Sequence, residues 1–391
     1  MARKQKKLLV ICILLLCLLF PGASVLAAGE PALEVSAPSY VLMEPETGEV
    51  ICGKEMDTRR SPASVTKVMT LLLIFDHLKD GTLDLADTVT TSAHAKSMGG
   101  SQVFLEEGEK QSVETMIKCI VIASGNDASV AMAEHISGSE QEFVKEMNER
   151  AAGLGMKNTH FEDCCGLTES DNHYTTAYDI ALMSRELICR HPQVLEYSSI
   201  WMENITHVTR QGSKEFALTN TNKMIRTYEG CVGLKTGSTS KAKFCLSAVA
   251  KRNGISLIAV VMASPDSRTR QKDAAALFDY GFARCSLYTD EDPGSLPNMK
   301  VKKGVASEVS LKYEGTFRYL DTEGMPVTDV TKKRILPSET TAPVKKGEQA
   351  GELIYYRDGQ ELGKIRILYG EDVAKAGYSH CLKKVLDGLW L

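Results

Sequence analysis

Residues 61–78 read Ser61-Pro62-Ala63-Ser64-Val65-Thr66-Lys67-Val68-Met69-Thr70-Leu71-Leu72-Leu73-Ile74-Phe75-Asp76-His77-Leu78, a short polar start that runs into an apolar helical stretch ended by Lys79-Asp80-Gly81. Pro62 and Ser64 stand where helix-starting residues belong. Ser64 and Lys67, at spacing i and i+3, share one helix face. A serine that opens a buried helix meets the lysine amine inside a core. Burial strips water from the ammonium and lowers its pKa toward the range a general base needs. Serine becomes a nucleophile once that neutral amine takes its proton, with no histidine required.

The pattern Ser-x-x-Lys also occurs at Ser238–Lys241 and Ser240–Lys243, and an isolated match is ordinarily a helix cap followed by a surface lysine. Its place at the head of an apolar helix separates Ser64 from both. A second pattern, Ser-x-Asn, occurs as Ser124-Gly125-Asn126 and as Ser170-Asp171-Asn172. The latter lies in a polar stretch between Gly166 and Tyr174, whereas Ser124 follows one apolar helix and precedes another. A short turn between helices has the rigidity a catalytic side chain needs. Lys235-Thr236-Gly237 occurs once, just ahead of two apolar strands. A glycine on a strand edge admits a substrate backbone, and Lys235 and Thr236 supply a cation and a hydroxyl for a terminal carboxylate.

Around these motifs the pattern predicts a hairpin within 33–54 turning at Pro45-Glu46-Thr47-Gly48, and helices over Val65–Leu78, Ser112–Ala123, Asp127–Ile136, Glu140–Leu154 and Ala177–Cys189. Ser112 is placed to cap the second helix. Phe244–Ala250 and Ile255–Met262 read as a central hairpin around Lys251-Arg252-Asn253-Gly254. From about residue 288 the texture changes. Asp290-Glu291-Asp292-Pro293-Gly294 reads as a linker, and short alternating pieces after it read as a small all-β module.

Arg3, Lys4, Lys6 and Lys7 precede a 13-residue apolar run, Leu8–Phe20, and small residues up to Ala28, which together read as a secretory signal peptide. The run is shorter than the roughly 20 residues of a spanning helix. Removing residues 1–27 takes the formal charge from −4 to −8, and nothing in that balance suggests nucleic acid. About 360 residues then remain, enough for two domains. Two of the eleven cysteines leave with the leader, and the rest read mostly as free buried thiols, Cys119, Cys189 and Cys245 inside apolar stretches, with one or two bridges as the alternative. No Cys/His spacing for a metal is present. The tail from Glu371 has Cys381, Leu382, Val385, Leu386 and Leu389 at helical spacing opposite Lys383 and Lys384. It reads as an amphipathic helix lying on a membrane, or else docked on the protein's own core.

The words Pro62-Ala63-Ser64-Val65-Thr66-Lys67, Ser124-Gly125-Asn126-Asp127-Ala128, Thr176-Ala177-Tyr178-Asp179, Gly233-Leu234-Lys235-Thr236-Gly237 and Tyr280-Gly281-Phe282 resemble the low-molecular-mass penicillin-binding proteins, specifically the D-alanyl-D-alanine carboxypeptidases. The match runs from about residue 33 to 285, and Ala342–Gly347 resembles a stretch of that family's β-rich second domain. The resemblance implies an α+β multidomain chain. A signal peptide at 1–27 would precede a β-lactamase/transpeptidase-like catalytic domain at 28–287, with helices on an antiparallel sheet. A small β-sandwich would occupy 288–368 and an amphipathic anchor helix 369–391.

The same resemblance implies that Ser64 attacks the terminal D-Ala-D-Ala bond of a peptidoglycan stem pentapeptide to form an acyl-enzyme, with Lys67 as base. Ser124 and Lys235 relay the proton to the leaving D-alanine, and Asn126 holds the substrate amide. The N–H groups of Ser64 and Ser238 form an oxyanion hole. Thr236 and Arg270 hold the free carboxylate beside Gly237, with Arg268 in reserve. No metal or cofactor is implied, and β-lactams are implied as covalent inhibitors. Some relatives have histidine where Ser238 stands and often glycine where Lys243 stands. The competing readings are a serine β-lactamase, for which no Glu-x-x-Leu-Asn segment lies between Ser124 and Lys235, a non-catalytic β-lactam or muropeptide sensor, a structural wall-binding protein, and a transpeptidase of the same family.

Overall fold

The computed structural model describes residues 33–209, 212–324, 327–380 and 382. The expected leader at 1–27 and most of the expected tail helix lie outside these residues.

The scaffold of the site is a five-stranded antiparallel sheet. Its strands are β1 (Ser39–Met43) and β2 (Val50–Lys54), then, after the helices, β5 (Cys231–Thr239), β6 (Lys243–Arg252) and β7 (Ile255–Ser264), in the order β2-β1-β7-β6-β5. Between β2 and β5 the chain forms α1 (Lys67–Asp80), α2 (Val113–Val121), α3 (Asn126–Ser137), α4 (Glu140–Gly153) and α5 (Ala177–Arg190), and then the hairpin β3 (Met202–Thr209) and β4 (Gly212–Thr219). The helix α6 (Ser267–Arg284) follows β7. Both β6 and β7 are nearly continuous apolar runs buried along their length, which requires cover on both faces. Both α5 and α6 pack on β7.

At the centre of the helical layer stands α1. Its residues Lys67 to Phe75 are all buried, and α2, α3, α4 and α5 surround it. A helix buried all round has no polar face, which is why its sequence is apolar in every direction rather than striped. Leu71, Leu72 and Ile74 are each fully buried, worth about 1.5–3 kcal/mol apiece. The Ser112 hydroxyl accepts the Thr115 N–H at 3.1 Å and caps α2 as expected.

The β-rich second part is three small sheets. Its strands are β8 (Ser286–Thr289), β9 (Met299–Lys302), β10 (Glu308–Val309), β11 (Leu311–Tyr313), β12 (Arg318–Asp321), β13 (Thr331–Ile335), β14 (Glu339–Thr341), β15 (Gln349–Arg357) and β16 (Gln360–Tyr369), paired as β8-β12, β10-β9-β14 and β11-β16-β15-β13. Phe317 stacks on Tyr355 at 3.7 Å, and the Tyr355 hydroxyl donates to Asp290 at 2.7 Å. Asp290 also binds Lys332, so this residue of the expected linker is a buried anchor instead. Arg318 ties the two parts together through the Gly254 carbonyl at 3.0 Å.

Three other expectations are corrected. Residues 369–377 are not helical: Val373 is buried and bridges Val344, Lys375 bridges Gly304, and helix begins at residue 378. The eight described cysteines are free, but Cys189, at the outer side of the last turn of α5, is exposed. The α-helix expected from Val65 begins at Lys67, and Ser64 and Val65 lie in a 3-10 turn ahead of it. Among the described residues no helix is long and apolar enough to cross a membrane.

Candidate active site

Ser64 lies in a single 3-10 turn, Ala63–Thr66, that leads into α1. Three residues per turn brings positions i and i+3 into line, closer than an α-helix would. Ser64 Oγ consequently sits 3.0 Å from Lys67 Nζ. The turn is braced from behind by Gly166, at φ +74°, where an added Cβ would fall 1.9 Å from the Ala63 carbonyl oxygen. Ala63 itself sits at φ +48°, a costly conformation for a residue with a side chain.

Lys67 is 0% exposed and meets three acceptors: Ser64 Oγ, Asn126 Oδ1 at 2.6 Å and the Cys165 carbonyl at 2.9 Å. As an ammonium it satisfies all three. As a neutral amine, with two N–H groups and a lone pair, it keeps the Asn126 and Cys165 contacts and turns the lone pair to the Ser64 hydroxyl. Burial pushes the Lys67 pKa down, opposed by the neighbouring Cys165, Cys164, Asp163 and Asp127.

Asn126 opens α3, and its amide is spent on both sides, with Nδ2 donating to the Gly99 carbonyl at 2.7 Å. Ser124, just before it, sits at φ +63°, in a turn fixed by Gly125 N–H to the Cys119 carbonyl and Asn126 N–H to the Ser101 carbonyl. That bend aims the Ser124 hydroxyl at Lys235 Nζ, 2.8 Å away. Lys235, 1% exposed, also donates to the Thr236 carbonyl. Its pKa is held well below the ordinary value by burial first, then by Lys67 and Arg270.

Lys235, Thr236, Gly237 and Ser238 lie on β5, the edge of the sheet, so alternate N–H and C=O groups face outward without a strand partner. A Cβ on Gly237 would stand 2.8 Å from the Pro62 carbonyl and 2.9 Å from Ser64 N, which places this edge directly against the Ser64 turn. Ser238 is exposed. Thr236 donates its hydroxyl proton to Thr221 Oγ1 at 2.8 Å. Arg270 is buried beside the strand, with Nη1 on the carbonyls of Gly237 at 3.1 Å and Cys245 at 3.0 Å. Its Nε has no partner, and burial lowers its pKa to about 10. Arg268, the reserve, is exposed on the first turn of α6.

The structure thus brings the three motifs into one place and leaves the lysines of the look-alike Ser-x-x-Lys patterns out of it. Lys241 and Lys243 are exposed at the β5–β6 turn, and Asp171 of the second Ser-x-Asn pairs at the surface with Lys241. The sequence reading missed three parts of the site. Thr221 carries no motif of its own, and the Cys165 contribution is a backbone carbonyl, which any residue type supplies. Asp127, quoted within Ser124–Ala128, takes the N–H groups of Val103 and Leu105 at 3.1 Å and so ties loop 99–105 to the turn.

A serine and two buried lysines joined through hydroxyl and amide partners define a serine acyl-transfer site. A family profile described as D-alanyl-D-alanine carboxypeptidase matches residues 25–266, and one described as penicillin-binding protein 5, C-terminal domain, matches 288–375. The chain is 41% identical over 357 residues to the D-alanyl-D-alanine carboxypeptidase DacF of Bacillus subtilis (strain 168), covering 90% of each. It is 30% identical to DacC of Escherichia coli (strain K12), over 92% of this chain and 90% of that one. Among solved structures, penicillin-binding protein 5 from Haemophilus influenzae aligns with TM-score 0.68 at 29% identity, over 88% of this chain and 98% of that one. The Streptomyces K15 DD-transpeptidase aligns with TM-score 0.60 at 29% identity, over 64% and 98%. The chain belongs to the D-alanyl-D-alanine carboxypeptidase family, peptidase S11, and is a hydrolase of that class.

Proposed function

We propose that Ser64 is the nucleophile and Lys67 its base in the removal of the terminal D-alanine from peptidoglycan pentapeptide stems. The observation that carries this is the triple coordination of Lys67, which leaves Ser64 as the partner of its lone pair. The stem lies extended along the open edge of β5, its carboxylate toward Thr236 and Arg270. Lys67 takes the Ser64 proton as Oγ bonds to the carbonyl carbon of the penultimate D-alanine. The oxyanion is held by the N–H groups of Ser64 and Ser238, such donors being worth about 3 kcal/mol each. The C–N bond then breaks as the leaving amine takes a proton passed through Lys67, Ser124 and Lys235. Water attacks the acyl-enzyme by the reverse proton path and frees Ser64. A β-lactam enters the same step through its ring carbonyl and stays bound as the acyl-enzyme.

The two carboxylates nearest Lys67 support hydrolysis of the peptide over rapid hydrolysis of the antibiotic. Asp127 and Asp163 are both engaged by backbone N–H groups, so neither is placed to activate a deacylating water. From the sequence of 1–27 and of the tail we further infer an exported enzyme, acting at the outer face of the cell membrane and held there by its amphipathic C-terminal segment.

The test is release of D-alanine from diacetyl-Lys-D-Ala-D-Ala, with labelled penicillin as a second readout and Ser64→Ala alongside. Both signals in the wild type, lost in the variant, are expected. Labelling without release would replace the carboxypeptidase with a sensor or a transpeptidase, and release that survives Ser64→Ala would remove Ser64 from the mechanism. Sedimentation of the full chain, but not of one ending at Gly377 just before the helical residues, with anionic vesicles tests the membrane contact.

A further inference from the structure

The Cys165 carbonyl that takes an N–H of Lys67 belongs to a turn folded around one side chain. Asp163 Oδ1 accepts the N–H groups of Cys165, at 2.9 Å, and Gly166, while Oδ2 accepts those of Leu167 at 3.1 Å and Thr168 at 2.7 Å. Four successive backbone donors on one carboxylate leave the turn little freedom, and the direction of the Cys165 carbonyl is fixed with it. The same turn carries Gly166 against the Ala63 carbonyl, so it touches the nucleophile's turn on one side and the base on the other.

Resting on the acyl-transfer reading above, we propose that Asp163 is a positioning residue for the base. Its carboxylate gathers residues 165–168 so that the Cys165 carbonyl occupies one N–H of Lys67 and leaves the amine lone pair to Ser64. Burial opposes ionisation of Asp163, but the neighbouring His173 and the backbone donors outweigh it and hold the carboxyl below its usual range. Burial also pushes His173 below its ordinary value, and the ring accepts the Glu162 N–H at Nδ1 while Nε2 binds Thr66 Oγ1, the pattern of a neutral imidazole. Near neutral pH the N–H donors therefore keep Asp163 charged.

The groups around Lys67 are Asp163, Cys164 and Cys165 from this turn, Asp127 from α3, and Lys235 from β5, with Arg270 beyond it. Glu140 of α4 accepts the Cys164 N–H, and Glu162 and His173 flank Asp163. Asp163 is thus an anion that raises the Lys67 pKa against the lowering by burial. Removing its charge moves the base further down, and the acid limb of acylation moves to lower pH.

The experiment is the second-order rate of Ser64 acylation by labelled penicillin between about pH 4 and 9, for wild type, Asp163→Asn and Asp163→Glu, with Ser64→Ala as control. Asp163→Asn keeps one acceptor and loses the charge. Its acid limb is expected to shift down by about half a pH unit or more, and its optimum rate to fall on the order of tenfold. Asp163→Glu keeps the charge but misplaces the turn, so its rate falls with the limb unmoved. An acid limb unchanged in Asp163→Asn, whatever its rate, overturns the proposal, because a merely structural role lowers the rate without moving the limb. Absence of labelling in the wild type would instead strike the serine site itself. If neither variant folds, the Asp163 carboxyl carbon in the wild type decides by 13C NMR: ionised throughout the acid limb supports the proposal, titrating in step with it overturns it.

Discussion

Lys235 Nζ stands 2.8 Å from the Ser124 hydroxyl, and this contact joins the sheet edge to the turn between α2 and α3 across the floor of the site. It is made by a buried amine with another buried lysine, Lys67, for a neighbour. Burial lowers the proton affinity of both positions, as the proposed proton transfers require.

The cost of that burial has a sign that can be measured. Lys235 holds its proton less tightly folded than unfolded, so the unfolded chain binds more protons at every pH between the lowered folded value and the ordinary 10.5. Stability contributed by this residue therefore rises with pH across that window. Lys235→Met removes the dependence. Chemical denaturation at pH 6 should show the variant more stable by about 1 kcal/mol or more, with the advantage shrinking by pH 9 and acylation lost throughout. A variant whose stability tracks the wild type in parallel from pH 6 to 9 would show that burial of this amine carries no cost.

Thr221 is the second hydroxyl at the end of the site proposed to hold the substrate carboxylate. Thr236 donates to it in the free enzyme, so the Thr236 hydroxyl is held in one rotamer and the pair presents two oxygens with a shared proton order. Thr221→Val keeps the shape and removes the acceptor. A neutral hydrogen bond is worth about 1 kcal/mol, so KM for the D-Ala-D-Ala peptide is expected to rise about fivefold with kcat little changed. A change confined to kcat would place Thr221 elsewhere in the reaction.

Gly237 is required by contact rather than by backbone angle. Its missing Cβ would lie within 3 Å of Pro62 O, Ser64 N and Val65 N, so any side chain pushes the Ser64 turn away from the strand. Gly237→Ala should slow acylation on the order of 100-fold and cost about 1–3 kcal/mol of stability. Stopped-flow acylation and denaturation of the same preparation separate the two losses, and acylation near the wild-type rate would show that the strand, not the turn, gives way.

How much of this was readable in the sequence follows the locality of each signal. Ser64 and Lys67 are three residues apart, and Ser112 caps its own helix, so spacing and residue type disclose them. The 3-10 turn was not disclosed, because Pro62 and Ser64 suit either helix start, and the close packing of Gly166 on Ala63 from about a hundred residues away leaves no trace in the local sequence. Arg270 was found by its place in the chain, but that Nη1 would be spent on Gly237 and Cys245 carbonyls depends on how α6 lies on the sheet. Asp290 looked like a linker because Glu291, Asp292, Pro293 and Gly294 follow it, and only the arrival of Tyr355 and Lys332 buries it. Carbonyl partners such as Cys165 leave no trace in residue type at all.

Lys243 offers the last test, of a departure visible in the sequence whose consequence is conformational. It stands where the family resemblance leads one to expect glycine, and at the start of β6 it adopts φ +58°, left-handed backbone that strains a residue with a Cβ. Its side chain is exposed, so no buried contact compensates. Lys243→Gly removes roughly 1 kcal/mol or more of strain and loses somewhat less to the added freedom of the unfolded chain. The net expectation is a gain of a few tenths to about 1 kcal/mol in chemical denaturation, with peptide turnover unchanged, since the residue lies beyond Ser238 at the far end of the turn. A loss of stability would mean that the lysine stem holds the β5–β6 turn, and the strain there would then be offset by packing along its methylenes.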